Sequence, residues 1–173
     1  MNMAELGRAA AWTWAAVLLV GAATGCAFFS PFSSCEGTGA ALRALDADPV
    51  LQVRPPEAAP ATGLDLAGGD CTDDSGDAWL SAERMYSHPG TPRQVLDHYR
   101  AVLPAQGWSL RGPDAVDDPV HPVRVLSFSH GSSGRELTLA FETPDTLVQW
   151  YDYRPGPETA GHTWYLLMVE EGV

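Results

Sequence analysis

The stretch Ala9 to Phe29, AAAWTWAAVLLVGAATGCAFF, carries no charged side chain. At about 1.5 Å per helical residue its 21 residues extend about 31 Å, close to the hydrocarbon thickness of a bilayer. Trp12 and Trp14 stand near one end and Phe28, Phe29 and Phe32 near the other, as interfacial aromatic belts do. A buried core helix of this length would show a polar face, and only Thr and Gly interrupt the apolar run. The sequence therefore predicts an N-terminal membrane anchor over residues 1–31 and an exported domain over residues 32–173.

Two kinds of anchor fit these residues. One is an uncleaved transmembrane helix with its N-terminus inside, since Arg8 precedes the span and no basic residue follows before Arg43. The other is a bacterial lipoprotein signal. Ala23-Thr24-Gly25-Cys26 has the small residues that precede an acylated cysteine, although Ala23 replaces the usual Leu and Cys26 is followed by apolar Ala27, Phe28 and Phe29. The uncleaved span is the preferred reading; both hold the domain at a membrane, outside the cytoplasm.

Acidic residues number 22 against 10 basic ones, for a formal charge of -12. Removing Glu5 and Arg8 with the anchor leaves that balance unchanged. A surface of this sign repels phosphates, which argues against nucleic-acid partners and against charge-driven docking on an anionic bilayer. Hydrophobic residues at 45% are enough for a packed core, so the exported part is expected to fold.

Cys26 lies in or next to the anchor, which leaves Cys35 and Cys71 in a compartment where thiols oxidise. Neither has a second Cys or a His at ligand spacing, so a disulfide is expected rather than a metal site.

Along the domain, Glu36–Asp46 reads as a short helix and Asp48–Gly69 mostly as loop, with a short extended piece at Val50–Arg54. Trp79–Ser87 reads as the first strand. Thr91–Gln106 is the clearest element: Thr91 caps, Pro92 suits the first helical position, Gln94 completes a capping box, and Gly107 ends the helix. Val95, Leu96, Tyr99, Val102 and Leu103 form its apolar stripe, and Pro104 frays its last turn. A short strand begins at Trp108–Leu110. After the loop Gly112–Pro122, strands Val123–His130 and Arg135–Glu142 flank the tight turn Gly131-Ser132-Ser133-Gly134. Leu147–Tyr153 and Thr163–Val169 complete the set of expected strands, separated by the loop Pro155–His162. The predicted class is α+β, with one main amphipathic helix packed on a mostly antiparallel sheet.

Val95-Leu96-Asp97-His98-Tyr99-Arg100, followed by Leu103 and Gly107-Trp108, resembles a stretch found in small exported membrane proteins and lipoproteins of actinobacteria. The likeness covers about a sixth of the chain. It implies the same helix-to-strand unit and brings no catalytic residues with it.

No constellation of side chains amounts to an enzyme signature. Asp70-Cys-Thr-Asp-Asp-Ser-Gly-Asp77 is dense in oxygen ligands, yet an EF-hand register starting at Asp70 puts Ser75 where Gly is needed and Ser81 where Glu is needed. A solvated loop explains it better. The histidines at 88, 98, 121, 130 and 162 lack metal-binding spacing, and the Ser and Gly residues after His130 lack the strand-to-helix setting of a nucleophile turn. The aromatics Trp108, Trp150, Tyr151, Tyr153, Trp164 and Tyr165 serve either as core or as a gripping surface, with Trp150, Tyr151 and Tyr153 the candidate partner surface.

The reading that needs least is a non-catalytic, membrane-tethered interaction or sensing module without a cofactor, facing an envelope protein or an apolar ligand. A cell-envelope hydrolase is the alternative and a divalent-cation binder the third. On this reading the full-length protein fractionates with membranes, while a version starting near Ser33 is soluble. A mass corresponding to cleavage and diacylglycerol addition at Cys26 would overturn the uncleaved span, and recovery of the full-length protein as soluble cytosolic material would contradict both anchors.

Overall fold

A computed structural model describes residues 34–66, 68–74, 76–111, 125–131 and 133–173. The expected anchor, including Cys26, and the start of the strand expected at Val123 lie outside them. Among the described residues no helix is long and apolar enough to cross a membrane.

The domain begins at its disulfide. Cys35 and Cys71 are joined, with Cα atoms 5.7 Å apart. Helix α1, Gly39–Asp46, follows and buries Leu45. Its C-terminus is tied to the sheet by Arg84, whose guanidinium pairs with the Asp46 carboxylate at 2.9 Å and donates to the Asp46 carbonyl at 2.9 Å. The expected extended piece at Val50–Arg54 is instead a single 3-10 turn, Pro49–Gln52. The cause is local: the Asp48 carboxylate accepts from the Val50 amide at 2.9 Å and Pro49 occupies the first position, the usual start of a helical turn.

Seven strands form one antiparallel sheet: β1 (Ala59–Pro60), β2 (Asp70–Asp74), β3 (Asp77–His88), β4 (Trp108–Arg111), β5 (Val125–His130), β6 (Arg135–Glu142) and β7 (Thr163–Gly172). The order is β1-β3-β7-β6-β5-β4, with β2 also paired to β3. β1 meets β3 at Tyr86 and Ser87 and β2 meets it at Asp77 to Ser81, so the two short strands share the edge of β3 away from β7. The acidic run at Asp70 is thus an edge strand and no loop. Its backbone pairs with β3, and charged side chains on such an edge discourage pairing with a second molecule.

Helix α2, Pro92–Val102, follows the sequence reading closely. Both halves of the capping box are present: the Gln94 amide donates to the Thr91 hydroxyl at 3.4 Å and the Thr91 amide to the Gln94 side chain at 2.7 Å. A 3-10 turn, Pro104–Gln106, frays the end, and Gly107 closes it at φ +87°. A Cβ at Gly107 would also lie 3.0 Å from the His130 ring, so the position requires glycine twice over.

The strand expected at Leu147–Tyr153 is the correction of most consequence: it is helix α3, Pro144–Tyr151. Thr143 caps it as Thr91 caps α2. The Thr146 amide donates to the Thr143 hydroxyl at 3.2 Å and the Thr143 amide to the Thr146 hydroxyl at 2.8 Å. Asp152, left-handed at φ +48°, ends the helix.

The sheet consequently has helices on both faces, where one was expected. The inner face packs Leu80, Tyr86, Phe128, Leu137, Leu139 and Leu167 against Leu45, Leu51, Val95, Leu96, Tyr99 and Leu103. A smaller cluster on the outer face joins Met85, Trp164 and Leu166 to Leu147 of α3, with Leu64, Leu66, Tyr151 and Tyr153 packed around it.

Leu139→Ala should lower unfolding free energy in urea by about 2–5 kcal/mol, the cost of a core truncation. Cys35→Ser should cost about 4 kcal/mol through the lost loop constraint. Unchanged urea midpoints would contradict these assignments.

Candidate functional site

Strand alternation decides how the acidic residues are displayed. In β2 the side chains of Asp70, Thr72 and Asp74 share one side and line up along the strand, so they do not converge on a point as a calcium loop's ligands do. Among the described residues no group of three or more His, Cys, Asp or Glu side chains is arranged to hold a metal ion.

The nearest approach to a nucleophile with a base is His130 and Ser133, with Nδ1 and Oγ 3.1 Å apart and Nε2 3.2 Å from the Gln106 carbonyl. The first contact lies within one exposed hairpin turn, and the second ties that turn to the 3-10 turn at the end of α2. Ser133 Oγ is also 3.0 Å from the His130 carbonyl, to which it donates, and accepts from the Arg135 amide at 3.3 Å. The shallow cavity of about 190 Å³ beside His130 is walled by Asp48, Val50, Gln106, Trp108 and Arg135, without Ser133. Asp48 and Arg135 there are held by each other at 2.7 Å, and Arg135 also pairs with Glu171 at 2.9 Å. The arrangement stitches a turn to the sheet.

The aromatic set divides sharply. Trp108, Trp164 and Tyr165 are buried core residues. Tyr151 is half-buried in the outer cluster, where burial, then the charges of Glu142 and Glu83, push its hydroxyl up to about 12. Tyr153 packs edge-on against Trp164, ring centroids 5.5 Å apart. Trp150 alone of the three points to solvent, 68% exposed. It borders a cavity of about 150 Å³ whose other walls include Val125, Ala140, Phe141, Thr143 and Thr146. Val125 is itself 53% exposed, so this corner of the sheet presents an apolar patch.

Sequence reasoning missed a second feature. Cross-strand register places Ser81, Glu170, Glu136 and Ser129 in one row across the outer face, with Glu83, Met168, Thr138 and Ser127 in the next. Burial raises the carboxyl pKa of Glu83, helped by the charges of Glu170 and Asp70, and burial also raises that of Glu170. Arg111 pairs with Glu136 at this surface. A shallow cavity of about 400 Å³ lies there among Trp79, Glu136, Glu170 and Gly172. The alternation of Glu136, Thr138, Ala140 and Glu142 announced a wet face, but meeting Glu170 and Glu83 depends on register with distant strands.

Comparison with family models, with curated proteins and with solved structures finds no match to this chain.

The raised Glu170 pKa carries a definite sign. Its ionisation opposes folding, so the penalty is absent below the ordinary value of 4.5 and grows as pH rises through the folded value. Glu170→Gln should therefore raise the melting temperature at pH 7 and leave it unchanged below about pH 4. His98 acts in the other direction: burial and then the neighbouring His88 lower its pKa, so its contribution fades as pH falls below 6.5. A Glu170→Gln protein no more stable than the parent at pH 7 would contradict the reading.

Proposed function

We propose that this chain is a membrane-tethered, extracytoplasmic interaction or sensing module that binds a protein partner and catalyses no reaction. The observation that carries the binding reading is Trp150, a large aromatic side chain 68% exposed on a capped helix at the mouth of an apolar groove. Trp150 is the most exposed large hydrophobic side chain among the described residues, ahead of Trp79 at 45%. Leaving an indole so open is unfavourable unless a partner covers it, and Trp is among the residue types most enriched at interface hot spots. Glu142 lines the groove and Asp145 stands in the first turn of the helix that carries Trp150, in a chain of net charge -12, so the complementary partner segment is apolar with basic neighbours. Export is supported by the Cys35–Cys71 pairing, which suits an oxidising compartment, and by the uncharged run Ala9–Phe29. The resemblance to small exported actinobacterial proteins points the same way.

The groove gives each aromatic a different expected phenotype. Trp150→Ala should leave the melting temperature unchanged and weaken partner binding about tenfold or more. Tyr153→Ala removes a packing neighbour of Trp164 and should lower the melting temperature. With a photo-crosslinking side chain at position 150 in the native envelope, one discrete protein adduct is expected, displaced by excess unlabelled domain and not by its Trp150→Ala form. Equal displacement by both, or the same adducts from a crosslinker at Arg93 on α2, would overturn the proposal.

A further inference from the structure

We draw no further inference here: the strongest candidate, the open half of the sheet's outer face where Glu83, Glu136 and Glu170 gather beside Trp79, is an acidic cluster for which nothing in the structure shows what covers it.

Discussion

Pairing of β3 with β7 is the constraint on which the rest of the domain depends. The two strands match over ten residues, from Trp79 opposite Gly172 to His88 opposite Thr163. Toward the His88 end of this ladder Tyr86 faces Tyr165, with ring centroids 5.6 Å apart, and Tyr99 of α2 meets Tyr165 edge-on at 6.0 Å. The Tyr86 and Tyr99 hydroxyls then donate to the carbonyls of Leu51 and Val53, at 2.5 Å and 2.6 Å. The tyrosines around one cross-strand pair thus tie down a helix, the first 3-10 turn and the residue that follows it. Because side chains alternate along a strand, the same pairing sets Met85 opposite Leu166 on the other face and supplies the floor on which Leu147 rests.

The two faces are unequally covered. Inside, α1, the 3-10 turn and α2 close over the sheet. Outside, α3 and the segment around Leu64 and Leu66 cover only the end bearing Trp164, leaving a polar half where Glu136 stands directly opposite Glu170. Like charges in that position repel, and partial burial adds to the cost. The disulfide compensates at the weakest margin: it ties the chain at Cys35 to β2, a strand whose residues are exposed apart from half-buried Cys71. Trp150 lies at the covered end, on a helix whose caps and inward Leu147 hold it firmly. A rigidly presented indole loses little conformational freedom on binding, which favours recognition.

Much of the architecture was legible because its signals are local. Thr91, Pro92, Gln94 and Gly107 spelled out α2 and its end, and the alternation in Arg135–Glu142 gave both the strand and its buried side. The Cys35–Cys71 pairing followed from compartment and elimination. α3 was announced by the same signal, Thr143-Pro144 with Thr146 at the third position, but the apolar and aromatic content of Leu147–Tyr153 reads equally as a strand. Eight residues are too few for periodicity to decide between them. β2 was illegible for the opposite reason. Nothing in Asp70–Asp74 favours a strand; the backbone of β3 imposes it. At the candidate site, Trp150 and its groove walls come from different elements, so sequence identified the residue and not its surroundings. The distinction between exposed Trp150 and packed Tyr151 is a matter of one helical step, about 100° around the axis.

The claim that β3 and β7 form the keystone is most directly tested by amide hydrogen exchange resolved to single residues. Amides of Ala82–Tyr86 and Tyr165–Val169 should exchange slowest, only through global unfolding, with those of β2 and β4 opening well before them. Exchange in the centre of β7 as fast as in β4 would contradict the account.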